Sequence, residues 1–135
     1  MTHIKKLTLF GCICLLMSSC DPVATMTANI KNNSSETLTI VFPSTDSIHH
    51  IELSLSPNET KLFQDGMDIG STYLEPRLGD YDSVYILNAQ VELVKVYKAN
   101  SPNKNIYNVP EDWQSSEPSR WVFEYLYEIE NSDIE

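Results

Sequence analysis

The sequence predicts an all-β domain: a small antiparallel β-sandwich or partly open barrel with two long loops and at most one short helix, behind a cleaved helical signal peptide. Three observations lead there. Apolar residues recur at every second position in one segment after another, the pattern of half-buried strands. Turn-forming residues separate those segments at the short spacing typical of sandwiches and barrels. The chain also opens on a charged, then apolar, then small-residue succession that has the order of an export signal.

That opening consists of Lys5 and Lys6, an apolar run of 11 residues from Leu7 to Met17, the small Ser18 and Ser19, and then Cys20. The run is shorter than the ~20 apolar residues a membrane-spanning helix needs. Met17-Ser18-Ser19-Cys20 resembles the lipobox of bacterial lipoproteins, in which a branched apolar residue and two small residues precede a cysteine. Met17 stands where that family commonly has leucine, which lies one place earlier at Leu16. The resemblance implies that residues 1–19 are removed and that Cys20 becomes an acylated N-terminus carrying palmitate-type chains. The cysteine count fits. Of the three cysteines, at 12, 14 and 20, two leave with the leader and the third is blocked by lipid. No thiol then remains for a disulfide, a metal or catalysis.

Residues 20–25 are expected to be the lipidated N-terminus and a short tether. Six residues reach at most ~20 Å, so the domain rides close to the bilayer. The β domain is expected over 26–130 and a frayed tail over 131–135.

Met26, Ala28 and Ile30 alternate with polar neighbours and predict the first strand. Asn32-Asn33-Ser34-Ser35 is a turn cluster, and Leu38, Ile40 and Phe42 alternate beyond it, so the two strands are expected to pair as a hairpin. Ile51, Leu53 and Leu55 form a third alternating set. Ser56-Pro57-Asn58-Glu59 places proline at the second turn position, and Lys61 to Gln64 returns as a short strand. Residues 65–82 hold Gly66, Gly70 and Gly79 and are expected to be irregular. Ser83 to Asn88 and Gln90 to Lys98 predict two more strands, the second with a phase slip that implies a bulge. Residues 99–120 hold three prolines, at 102, 110 and 118. Within them, Ile106-Tyr107-Asn108 is expected as a brief edge strand, and Pro110-Glu111-Asp112-Trp113 as a helical turn with acids at its positive end. In the last strand Trp121, Phe123, Tyr125, Tyr127 and Ile129 share one face, and Trp121 and Phe123, or at least Phe123 with its same-face neighbours, are expected to be buried. The whole layout resembles that of small uncharacterised envelope lipoproteins of Bacteroidetes-type bacteria, a likeness that carries over no catalytic or binding residue.

Charge narrows the function. The formal net charge is −10 and becomes −12 once Lys5 and Lys6 are removed. Nucleic-acid phosphates recruit Lys and Arg, so nucleic acid is not an expected partner, and an anionic leaflet would repel the domain. His49 and His50 are adjacent and would point to opposite faces of a strand, which disfavours a shared metal even with Asp46 and Glu52 nearby; His3 lies in the leader. Asp65, Asp68, Asp80 and Asp82 do not have the spacing of a calcium loop and read as solvated carboxylates. There is no Gly-x-Ser-x-Gly elbow and no glycine-rich phosphate loop.

No catalytic residue, metal or cofactor is therefore expected. The expectation is a non-catalytic binding or assembly module, lipid-anchored through Cys20 in the cell envelope. Asp21 resembles the inner-membrane retention signal of enteric bacteria; since other bacteria do not follow that rule, the outer membrane is favoured. The alternative is an inhibitor lipoprotein that captures a basic envelope-attacking hydrolase, supported by charge. Trp113, Tyr107 and Tyr73 lie in the long loops and are the expected partner-binding anchors, to an envelope protein or a glycan.

Overall fold

The computed structural model describes residues 21–46 and 48–135. Eight strands run in chain order: β1 (Val23–Asn32), β2 (Leu38–Phe42), β3 (Ile51–Leu55), β4 (Thr60–Ile69), β5 (Val84–Leu87), β6 (Leu93–Tyr97), β7 (Gln114–Ser119) and β8 (Val122–Ile129). Two helical turns join them, α1 (Val109–Asp112) and α2 (Asn131–Ile134). The strands form two four-stranded sheets, ordered β4-β1-β8-β7 and β3-β2-β5-β6. Every neighbouring pair is antiparallel except β1 and β8, which run parallel. The fold is the expected all-β sandwich; among the described residues the strands do not close into a barrel.

Alternation builds the core. Ala24, Met26, Ala28 and Ile30 of β1 are buried, as are Leu38, Ile40 and Phe42 of β2 and Tyr125, Tyr127 and Ile129 of β8. Each fully buried large apolar side chain contributes ~1.5–3 kcal/mol. A one-residue slip would turn a whole set outward, so the pattern sets which face each strand presents. Rings cross the interior in sequence. Tyr81 meets Phe42 at 5.3 Å, Phe42 stacks on Phe63 at 4.3 Å, Phe63 lies 6.3 Å from Trp113, Trp113 lies 5.3 Å from Tyr127, and Tyr127 lies 6.2 Å from Tyr97.

The largest correction concerns the first two strands. They do not pair as a hairpin: β1 pairs with β4 and β8, and β2 with β3 and β5. The turn cluster is a corner between sheets, held by the fully buried Asn32. Its Nδ2 donates to the carbonyls of Glu36 (2.7 Å) and Leu55 (3.0 Å), and its Oδ1 accepts from Ser34 N (2.9 Å) and Ser34 Oγ (2.6 Å). An asparagine that satisfies both branches of the chain lets each strand join a different sheet. The Ser56–Glu59 turn forms as expected, with Glu59 N bonded to Ser56 O at 3.0 Å and Asn58 at φ 65°. It too leads from one sheet to the other.

Other boundaries differ. β1 begins at Val23, ahead of the expected Met26. β4 runs to Ile69, so only the later part of 65–82 is irregular. Gly66 does not break it: it keeps its place in the ladder, in register with Met26 of β1. Ile106-Tyr107-Asn108 is a turn, not a strand. Buried Asn105 fixes it by donating to the Lys98 (2.7 Å) and Ser101 (3.2 Å) carbonyls and accepting from Tyr107 N (3.2 Å). The edge strand lies instead at β7, an exposed polar segment whose Pro118 coincides with a break in register between Ser116 and Ser119, as befits a strand with an open side. Trp121 occupies the β7–β8 turn at φ 63°, and it and Phe123 are half-buried rather than core. Residues 131–135, expected to fray, contain α2, capped reciprocally by Glu130 and Asp133, with Lys104 Nζ 2.8 Å from Asp133. The helical turn at Pro110 is α1, and the slip in β6 falls where Ile86 faces Lys95 while Leu87 faces Leu93.

Candidate functional site

The three loop aromatics have three different fates. Trp113 is a core residue, 4% exposed, with Nε1 donating to the Ile106 carbonyl at 2.7 Å. It follows α1 directly and plugs the space between the sheets, so it offers no face to a partner. Tyr107 is half-buried and its hydroxyl donates to Tyr81 O at 2.9 Å. Burial pushes that hydroxyl's pKa up to about 12, with the charge of Asp82 adding to the shift. Both are structural ties between loop and core. Tyr73 alone of the three turns outward, 56% exposed.

Tyr73 forms one wall of a cleft of about 270 Å³ between the 71–83 loop, α1 and the β7–β8 edge. Its ring meets Phe123 edge-on at 5.3 Å, and its hydroxyl donates to Glu75 at 2.9 Å. Tyr125 lines the floor and anchors the loop by donating from its hydroxyl to Leu74 O at 3.0 Å. Burial raises the pKa of that hydroxyl, and neighbouring Tyr73 and Glu75 raise it further. Ser115, Ser116 and Glu117 of β7 form the opposite rim. Aromatic rings below and hydroxyl and carboxylate groups above suit an apolar side chain or a sugar ring that also carries hydrogen-bond donors. Glu117 is already engaged, accepting from Trp121 N at 2.7 Å.

Sequence reasoning identified Tyr73 but not its companions. Phe123 and Tyr125 were assigned to the core by their alternation, and Gln114–Ser119 has the composition of a loop.

The titratable candidates lie in separate places among the described residues. His49 Nδ1 lies 3.2 Å from Asp46, and His50 Nε2 lies 3.2 Å from Glu52, each an exposed pair on its own. Among the described residues no group of three or more His, Cys, Asp or Glu could hold a metal, the aspartates at 65, 68, 80 and 82 included. Asp65 and Asp68 lie along β4, whereas Asp80 and Asp82 lie in the loop before β5. Cys20 lies outside the described residues. Among the described residues no helix is long and apolar enough to cross a membrane.

No family model, curated protein or solved structure matches the chain.

Proposed function

We propose that this chain is a lipid-anchored protein of the bacterial cell envelope, held through acylated Cys20, whose β-sandwich is a non-catalytic binding or assembly module. The outer membrane is the favoured location. The observation that carries the reading is the leader-like succession ending at Cys20, set directly before the first strand of a folded sandwich at Val23. A processed chain would thus begin where the domain begins. The module half of the reading draws its support from the Tyr73–Phe123–Tyr125 cleft, in which Phe123 and Tyr125 stand on β8, Tyr73 meets them from the 71–83 loop, and the rim is polar.

Cells making the wild type and Cys20→Ala, fed radiolabelled palmitate, test the anchor. Label in the wild type and none in the variant is expected; equal label in both contradicts it. A photo-crosslinking amino acid at position 73 tests the module in the same cells. A discrete adduct at 73, missing when the probe is at exposed Lys98, supports the cleft as the binding face. Identical patterns from both positions contradict it.

A further inference from the structure

We infer that one end of the β4-β1-β8-β7 sheet is a membrane-seating rim, formed by Val23, Met67, Ile69, Trp121 and Arg120, that rests in the headgroup layer of a phospholipid bilayer. The inference rests on the lipid-anchor reading of Cys20 and deepens it by giving the domain an orientation.

Register brings the rim together. Val23 pairs with Ile69 and Thr25 with Met67 across β1 and β4, and Thr25 pairs with Val122 across β1 and β8. Alternation turns Val23, Met67 and Ile69 to the outer face, away from the core, and they are 40%, 67% and 66% exposed. The next outward row is Asp65, Thr27 and Glu124. This face is therefore apolar at its end and acidic one step further along, a step of about 7 Å. Single exposed apolar residues need no explanation; three adjacent ones at the end of the sheet nearest the anchor do.

The β7–β8 turn completes the rim. Thr25 N bonds to Trp121 O at 2.9 Å, so this turn lies at the same end. Trp121 keeps φ 63°, a conformation where glycine or asparagine is the ordinary occupant, and the Arg120 guanidinium stacks over its ring at 4.2 Å. An amphipathic indole favours the membrane–water interface, and a guanidinium is a fitted donor for a lipid phosphate.

The connection to the anchor decides the occupant. Gly70 N bonds to Pro22 O at 2.6 Å, which pins the chain to the end of β4. Only Asp21 separates that pinned residue from Cys20, so the two Cα atoms lie at most ~7.6 Å apart. The polar layer of each leaflet is only ~5–8 Å deep. An acyl chain on Cys20 thus draws this end of the sheet to the headgroups, where exposed Val23, Met67, Ile69 and Arg120 and half-buried Trp121 lie. Asp21 and Asp68 share the end and keep the seating shallow, among headgroups rather than acyl chains.

The test uses the processed, acylated protein in phosphatidylcholine vesicles. A single cysteine at Ile69 carries an environment-sensitive fluorophore, and a control cysteine replaces Ser35, about 30 Å further along the strand direction. Met67→Cys serves as a second rim position, and both rim side chains are exposed enough for substitution to spare the fold. Palmitate incorporation is read on the same preparations. With label present, a lipid carrying a shallow spin label should quench the rim probes at least about twofold more than the Ser35 probe. Equal quenching in labelled protein overturns the rim and leaves the anchor standing. Absence of palmitate from every preparation overturns the anchor reading, and the rim falls with it.

Discussion

Asn32 is the residue on which the sheet-to-sheet corner depends, and Asn32→Ala tests that dependence quantitatively. The substitution removes four bonds: two donated to the Glu36 and Leu55 carbonyls and two accepted from Ser34. A buried hydrogen bond contributes a net ~1 kcal/mol, and Glu36 O retains its long bond from Ser34 Oγ, so the loss comes to about 3–4 kcal/mol. At roughly 4 °C per kcal/mol for a domain of this size, the thermal midpoint should fall by about 12–16 °C. Asn32→Asp adds a signed test. One carboxylate oxygen can still accept from Ser34, but the other faces two carbonyl oxygens in a fully buried site. Burial and those acceptors raise the carboxyl pKa in the folded state above its ordinary ~3.9. The folded state then binds the proton more tightly, and the stability this gives is present at low pH and lost as pH rises through the folded-state pKa. The deficit of Asn32→Asp relative to wild type should accordingly be smaller at pH 4 than at pH 7. Thermal melts followed by circular dichroism read both effects. A shift under about 2 °C for Asn32→Ala, or an Asn32→Asp deficit that grows on acidification, would refute the role given to this side chain.

Further outcomes follow from the same contacts. Trp113→Ala should cost about 3–5 kcal/mol in urea unfolding; an unchanged midpoint would return Trp113 to the list of possible partner anchors. Tyr97→Phe should be neutral or mildly stabilising in the same assay, because the Tyr97 hydroxyl is buried with no hydrogen-bond partner among the described residues and the ring contact with Tyr127 survives. Burial holds the Tyr97 and Tyr107 hydroxyls at about 12, above the ordinary 10. The unfolded chain releases those protons first, so the contribution of these two tyrosines should be constant below pH 10 and fall between about 10 and 12. The slope is ~1.4 kcal/mol per pH unit for each such tyrosine. Absorbance at 295 nm against unfolding midpoint checks this, and ionisation of all seven tyrosines near pH 10 with the fold intact would contradict it.

The strands that bury one full face were legible because alternation is a direct record of burial. β1, β2 and β8 were placed by it within a few residues. Pairing was not legible at the corner, because Asn32-Asn33-Ser34-Ser35 reads as a turn whether the next strand returns to the same sheet or crosses to the other. What decides is a tertiary contact, Asn32 Nδ2 to the Leu55 carbonyl, 23 residues away. β7 was invisible because Gln114–Ser119 has no buried residue; backbone pairing with β8 orders it. The candidate cleft was half legible for the same reason. Tyr73 stands out in a loop, whereas the exposed edge of Phe123 depends on how far the loop and β7 leave the last strand uncovered.

The central claim, that Cys20 becomes the acylated start of the chain, is tested most directly by mass spectrometry of the trypsin-digested protein from envelopes. Lys6 and Lys31 are the flanking cleavage sites, so a processed chain yields a peptide of residues 20–31 and an unprocessed one a peptide of residues 7–31. Acylation at Cys20 predicts the shorter peptide with a lipid mass added at the cysteine and no unmodified form. The longer peptide, or the shorter one with a free Cys20 thiol, would contradict it.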